Sequence, residues 1–269
     1  MDDLIICVAP YPSEKQIEKC SGKMDIVQEV INCYHAGASL VHLHVRDPEG
    51  LQTNNTQWFQ SDIERIHAAC SIIVEGSTGG MPEHTLKERC VSFTVPGVEM
   101  GSLNLGSINM YGGVFCNQVA DVYYYAGELK KRNLVPFIDI FDLSHFSCLE
   151  RLRKDKLVLP PYTMALIFDY PDTLPYKEKY LDFYLTEVPK GSNWFLTRYH
   201  AQGAEYYSKA IEMGGHVRVG YEDGPFLSGG QRGSNAELVA EVVRLAKKVG
   251  RKVATPEKAR EIMGIKQLI

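Results

Sequence analysis

The chain contains no Cys-x-x-Cys pair, no apolar run long enough to span a bilayer, no block of basic residues, and no low-complexity tract or internal repeat. Its seven cysteines (Cys7, Cys20, Cys33, Cys70, Cys90, Cys116, Cys148) are scattered and odd in number. That argues against a disulfide framework and against a thiolate zinc site, and it implies reduced thiols in a cytoplasmic protein. The net charge is only -4 with a pI near 6.1. With no aromatic-basic stripe beside it, nucleic acid and membrane are poor partners and a small molecule is the natural one. Met1-Asp2-Asp3-Leu4 is acidic and runs at once into a short apolar strand, which fits neither a signal peptide nor a transit peptide. No linker divides the chain, so one domain over residues 1–269 is expected.

What is present is ordinary globular material, 45% hydrophobic and 23% charged over 269 residues, with strand-like and helix-like segments alternating from end to end. Eight segments have strand character: 4–10, 40–46, 71–78, 98–105, 135–142, 162–169, 194–200 and 216–223. Between them, 25–36 carries apolar residues at helical spacing and closes at Gly37; 62–69, 117–132, 143–155, 175–187 and 203–213 are helical in character, and a segment containing 83–89 precedes the strand at 98–105. The last long helix opens with a capping box, Ser234-Asn235-Ala236-Glu237, and stops at Gly250; Thr255-Pro256 starts a short terminal helix. Eight β-α units in a chain near the roughly 250 residues typical of the fold predict an α/β protein of the (β/α)8 TIM barrel class. A doubly wound open sheet is the rival, but only closure brings the eighth strand beside the first.

Closure matters because of Val41-His42-Leu43-His44-Val45-Arg46-Asp47. On a strand, residues 42, 44 and 46 share a face and the apolar residues between them pack behind. In a barrel, working residues lie at the C-terminal strand ends. Those ends hold His42, His44 and Arg46; Glu75, Ser77 and Thr78; Ser102 and Asn104; Asp139 and Asp142; Asp169; Arg198 and His200; and Glu222 with Asp223. An isolated His-x-His is as readily a hydrogen-bonded pair as half of a metal site. Glu222, brought towards it by closure, makes two imidazoles and a carboxylate, the donor set of an open catalytic zinc site. A metal there would act as a Lewis acid towards a chelating carbonyl or carboxylate and favour a developing enolate. Arg218 shares the inward face with Glu222 and is placed to pair with Asp139 or Asp223. Ser77-Thr78-Gly79-Gly80 is either a cradle for a carboxylate or phosphate or a strand-to-helix turn. His35, His67 and His84 fall in helices or loops and read as surface or core residues, and Tyr123-Tyr124-Tyr125 as helix packing.

Together with Ala36-Gly37-Ala38 before the histidine strand, an ordered set of motifs resembles one family nearly end to end. The set is VHLHVRD, STGG at 77–80, SLNLGSIN at 102–109, FD at 141–142, GGHVRVGYED at 214–223, SNAELV at 234–239 and GRKVATPEKAREIMGI at 250–265. The family is the β-keto acid cleavage enzymes. The resemblance implies a zinc-dependent barrel that joins a β-keto acid to acetyl-CoA and releases acetoacetate and a new acyl-CoA. It implies His42, His44 and Glu222 as zinc ligands, Asp223 as the base that takes the substrate's α-proton, Arg218 as its orienting partner and Asp139 as support for that arginine. Glu14, Ser77, Thr78, Ser102 and Asn104 fall to substrate contact, and a homotetramer is the implied assembly. The chain departs from the family pattern at Phe137 and Asp139, where paired glutamates are usual. Glu75 stands where an amide is common, Gly224 replaces a frequent asparagine, and Ile167-Phe168-Asp169 and Thr197-Arg198-Tyr199-His200 are atypical strand ends. Two other readings remain. A metal-dependent hydrolase of the amidohydrolase type would need further histidines on strands five and six; a zinc-retaining, non-catalytic carboxylate binder would fit the altered strand ends.

Overall fold

A computed structural model describes residues 1–12, 24–79, 84–201 and 204–266. The order is β1 (Ile6–Val8), α1 (Ile26–Ala36), β2 (Leu40–Leu43), α2 (Gln57–Ala69), β3 (Ile73–Gly76), α3 (Leu86–Arg89), β4 (Val98–Asn104), β5 (Ile108–Met110), β6 (Gly113–Phe115), α4 (Val119–Lys131), β7 (Val135–Ile140), α5 (Ser144–Lys154), β8 (Thr163–Phe168), α6 (Glu178–Glu187), β9 (Asn193–Arg198), α7 (Glu205–Glu212), β10 (His216–Val219), α8 (Asn235–Val249) and α9 (Pro256–Met263). Eight of the strands close into a parallel barrel in the order β1-β10-β9-β8-β7-β4-β3-β2, and β5 and β6 form a separate hairpin. The (β/α)8 barrel expected from the alternation of segments is therefore the fold. Among the described residues no helix is long and apolar enough to cross a membrane, and the six described cysteines are free; Cys20 lies outside them.

Local chemistry accounts for the helix ends. The Asp25 side chain accepts from the Gln28 N–H at the start of α1, and Gly37, at φ 119°, closes it in a left-handed turn. Ser234 and Glu237 form the reciprocal capping box that starts α8, and Thr255 with Pro256 starts α9. The barrel interior is filled by Ile5, Cys7, Leu40, Ile73, Met100, Phe137, Ala165 and Phe195, and Ala259, Met263 and Ile265 of the terminal segment pack against the same cluster. A second, larger cluster lies between strands and helices, with Val41, Leu43, Val74, Ile138 and Val217 meeting Val30, Ile63, Leu129 and Val239. Alternation along each strand thus separates an inner layer from an outer one.

Two strand ends at the barrel mouth and one hairpin bear on the site and differ from the sequence pattern. Strand pairing of β2 stops at Leu43, and Arg46 bridges to Gln52 across a turn, so His44 and Arg46 leave the strand just above the barrel. β10 stops at Val219, and residues 220–224 fold into a turn closed by a Gly220–Gly224 bridge. The hairpin β5–β6 has no counterpart among the expected strands, because three-residue strands with half-exposed side chains carry no alternation to detect.

The turn after β10 depends on Gly220. Its φ is 140°, and an added Cβ would sit 2.2 Å from the Ala9 carbonyl oxygen. That same carbonyl accepts the Glu222 N–H at 3.2 Å, so the close approach of β1 to Gly220 is what places Glu222. Asn235 secures the turn from outside, accepting the Tyr221 N–H at 2.8 Å and donating to the Pro10 carbonyl at 3.1 Å. Replacing Gly220 by alanine should cost at least about 2 kcal/mol, since a backbone carbonyl rather than a flexible side chain must give way. Thermal or urea unfolding of Gly220→Ala against the parent chain measures this.

Candidate metal centre and active site

β2 and the turn after β10 meet across β1, and their polar groups converge at the C-terminal mouth of the barrel. His42 Nε2 and His44 Nε2 are 3.2 Å apart. Glu222 brings Oε1 to 3.7 Å from His42 Nε2 and Oε2 to 3.3 Å from His44 Nε2. Within these three residues, one ligand atom each lies inside 4.8 Å of the others. His42 Nδ1 is hydrogen-bonded to Glu75 Oε2, the carboxylate of the neighbouring strand at the paired register position. With Nδ1–H donating to Glu75, the Nε2 of His42 is a bare lone pair facing a second imidazole nitrogen and a carboxylate.

The residues present fit a bound cation. Glu222 Oε2 and His44 Nδ1 are buried without a hydrogen-bond partner among the described residues, as are Glu75 Oε1 and Asp139 Oδ1. Two imidazoles and one carboxylate, with a carboxylate behind one imidazole to fix its tautomer, are the donors and support that zinc takes in open sites. Gly79 leaves room beside them: a Cβ there would lie 2.9 Å from His44 Cε1.

Arg218 ties the cluster to its neighbour. Its Nη2 donates to Glu222 Oε1 at 2.7 Å, its Nε to Asp223 Oδ2 at 2.9 Å, and its Nη2 also to Asp223 Oδ1 at 3.1 Å. Of the two partners left open by the sequence, Asp223 is the one in contact. Tyr170 donates to the same Oδ1 at 3.0 Å. Burial opposes ionisation of Glu222, yet Arg218, His42 and His44 hold its carboxyl well below the usual carboxylate range. Burial, partly offset by Arg218 and reinforced by Glu222, pushes Asp223 up. Burial lowers His44 below the ordinary imidazole value, which favours its neutral, ligating form. His42 is also disfavoured as a cation by burial, but Glu75 and Glu222 outweigh that and raise it.

The other expected residues divide. Thr78, Ser102 and Asn104 form one buried polar knot on β4 and the end of β3. The Thr78 N–H reaches Ser102 Oγ at 2.7 Å, and Asn104 Nδ2 reaches Thr78 Oγ1 at 3.3 Å. Ser77 Oγ accepts the Gly79 N–H at 2.9 Å, so the Ser77-Thr78-Gly79 stretch is a built turn at the mouth. Asp139, paired in register with Asn104, points into the barrel, and burial together with the charge of Glu75 pushes its carboxyl up to about 7. Asp142 instead accepts the Ser144 N–H at 2.8 Å at the start of α5. Asp169 pairs with Arg198 at 2.6 Å, and the Arg198 guanidinium lies between the rings of Tyr176 and Tyr206, 4.2 Å from each. Arg46 turns to the Gly50 carbonyl and the Tyr11 ring. Glu14 and Gly80 lie outside the described residues. Two groups had no signal in the sequence: Glu75 as the partner of His42, which depends on strand register, and Tyr170, which sits in a loop without a motif.

A closed parallel barrel carrying an open two-imidazole, one-carboxylate cluster, with an arginine-held carboxylate next to it, defines a barrel enzyme built for chemistry at the C-terminal strand ends. Residues 4–265 match the family model for the beta-keto acid cleavage enzyme, and the chain belongs to that family. It is 34% identical over 246 residues to the 3-keto-5-aminohexanoate cleavage enzyme of Fusobacterium nucleatum, covering 90% of this chain and 89% of that one. It is 29% identical over 244 residues to the 3-oxoadipate:acetyl-CoA acetyltransferase of Cupriavidus necator, covering 89% and 85%. Among solved structures it is similar to apo ObcA, with a TM-score of 0.71 at 17% identity, covering 89% of this chain and 64% of ObcA. That likeness bears on the barrel alone.

Two outcomes follow from this geometry. Glu75→Gln should weaken zinc binding by about 10- to 100-fold, because His42 loses the charged acceptor that fixes its tautomer; calorimetric titration of the metal-depleted protein measures it. Asp139 should make the metal-depleted fold less stable as pH rises. Its folded pKa, up to about 7, lies above the unfolded carboxylate value, so its contribution is whole below about pH 4 and lost through pH 7. Asp139→Asn should therefore raise the unfolding midpoint at pH 8 more than at pH 5, with a gain on the order of 1–3 kcal/mol at the higher pH.

Proposed function

We propose that the protein is a zinc-dependent β-keto acid cleavage enzyme, converting a β-keto acid and acetyl-CoA to acetoacetate and a new acyl-CoA. Membership of the family supports the reaction class. The observation that carries the assignment of roles is Asp223, held on both oxygens by Arg218 and adjacent in sequence and space to the His42–His44–Glu222 cluster. Zinc bound by those three residues would act as a Lewis acid towards the keto and carboxylate oxygens, making the carbon between them more acidic.

The chain's own groups do the rest. Asp223 accepts the α-proton, and Arg218 opposes the effect of burial on that carboxylate and aims it while balancing Glu222. The freed electron pair on the α-carbon attacks the acetyl-CoA thioester carbonyl, and the carbon–sulfur bond breaks to expel CoA thiolate. The thiolate adds to the former ketone carbon, the bond between that carbon and the α-carbon breaks to leave the new acyl-CoA, and the proton held by Asp223 returns to the α-carbon, releasing acetoacetate. The sum R-CO-CH2-COO⁻ plus CH3-CO-S-CoA giving R-CO-S-CoA plus CH3-CO-CH2-COO⁻ balances in atoms and charge. Ser77, Thr78, Ser102 and Asn104 supply hydroxyl, amide and backbone donors on the β3–β4 side of the mouth for the substrate's oxygens. Asp139 faces the same space from β7 and supports Arg218 through its field rather than through a direct bond. In this reading the enzyme works as a cytoplasmic homotetramer. The hydrolase alternative loses ground at the strand ends: β7 and β8 end in Asp139, Asp142 and Asp169 where histidines would be needed.

Zinc-loaded protein incubated with acetyl-CoA and a panel of β-keto acids should produce acetoacetate with at least one of them. His44→Ala and Asp223→Asn should each lower the rate by at least about 100-fold, and a chelator should abolish it reversibly. Hydrolysis that proceeds without CoA, or tight binding of the acid without turnover, overturns the assignment.

A further inference from the structure

We propose that Tyr170 is a positioning residue for this reaction, its hydroxyl fixing the orientation of the Asp223 carboxylate; the inference rests on Asp223 being the base. Asp223 is held by Arg218, but unequally. Nε gives Oδ2 a 2.9 Å bond of its own, whereas Oδ1 receives only a 3.1 Å bond from Nη2, which also serves Glu222 Oε1 at 2.7 Å. Nη2 has one N–H for each carboxylate, its shorter bond goes to Glu222, and Oδ1 is left with the longest of the three; Tyr170 supplies it with a second donor at 3.0 Å. Carboxylates are held in plane when both oxygens are bonded; with one oxygen loose, rotation about the last side-chain bond moves the basic lone pair away from the substrate carbon.

The surroundings of Tyr170 fit this task. Its ring packs against Tyr199, with centroids 4.5 Å apart, against Phe141 at 5.8 Å and against Tyr111 at 6.3 Å. Its loop is tied down on both sides. The Thr173 N–H bonds the Tyr170 carbonyl, and Asp169 takes the Tyr176 N–H on one oxygen and Arg198 Nε on the other. The backbone at Asp169 is left-handed, φ 69°, a costly conformation for a residue with a side chain, and it turns the chain so that Tyr170 faces inward. Burial keeps the phenol protonated, so it donates.

Tyr170→Phe keeps the ring contacts and removes only the hydroxyl. Its kcat should fall by about 10- to 100-fold, the range for a hydrogen bond to a charged group. KM for the β-keto acid and zinc affinity should stay within about twofold, and solvent deuterium uptake at the substrate α-carbon without acetyl-CoA should slow in step with kcat. Added to Asp223→Asn, Tyr170→Phe should cost nothing further, since a residue acting through Asp223 has nothing left to position. A kcat equal to that of the parent chain, or a loss that adds in full to that of Asp223→Asn, overturns the inference and leaves Tyr170 as packing. If Asp223→Asn alone leaves turnover intact, the base assignment fails, and the role of Tyr170 with it.

Discussion

Arg218 carries the electrostatics of the barrel mouth. It is 4% exposed and emerges from β10; Asp139, Glu222 and Asp223 lie in its field, and Glu75 adds a fourth carboxylate, buried beside Asp139 and His42. One guanidinium cannot balance four negative charges inside a protein, where an uncompensated charge is costly. The structure divides the burden. Arg218 takes Glu222 and Asp223 directly, and His42 is hydrogen-bonded to Glu75. Asp139, out of reach of a direct bond, is pushed towards neutrality. What remains is a pair of imidazole nitrogens and a carboxylate oxygen without a hydrogen-bond partner among the described residues, facing one another as a donor set that could hold a cation.

Several loops at the mouth hold conformations that cost energy. Tyr111, Asp169, Asp172 and His200 all have positive φ without being glycine. Each lies on a loop that reaches over the β8–β9 side: the hairpin tip, the turn after β8, and the second residue after β9. The hairpin is pinned there, its Tyr111 N–H to the Pro171 carbonyl and its Gly112 N–H to Asp172 Oδ2 at 2.7 Å. Strain of this kind persists only where surrounding contacts over-determine it. Here the contacts are the tyrosine cluster and the Arg198–Asp169 pair, so loops that leave the barrel as irregular chain become a fixed wall beside Asp223.

How much of this the sequence showed follows from range. Strand identity, helix caps and barrel closure depend on local alternation and on the count of units, and both are written along the chain. The His42–His44 pair is local too, and Glu222 follows once the barrel closes. The Arg218 partner is harder. Asp139 and Asp223 both face the barrel, but β7 lies three strands from β10, and only the turn forced by Gly220 folds Asp223 back onto the guanidinium. Glu75 reaches His42 because β2 and β3 pair without a slip at that point, although β3 slips against β4 one residue earlier. Tyr170 belongs to an irregular loop with a left-handed residue, which no periodicity announces.

The residues on the inward face of β7 have a physical consequence that does not depend on any substrate. Phe137 lies two residues before Asp139 on the same inward face, fully buried, its ring edge-on to Phe195 at 5.0 Å. A carboxylate at 137 would have had to share the barrel interior with Cys7, Leu40 and Met100; the phenyl ring instead completes a dry floor under the mouth. A dry floor lowers the local dielectric, and that strengthens both the attraction of Arg218 for Asp223 and the penalty on ionised Asp139. Phe137 therefore tightens the hold on the proposed base while weakening the second carboxylate's claim on the arginine. Arg218 is left to Glu222 and Asp223, the two groups that its hydrogen bonds reach.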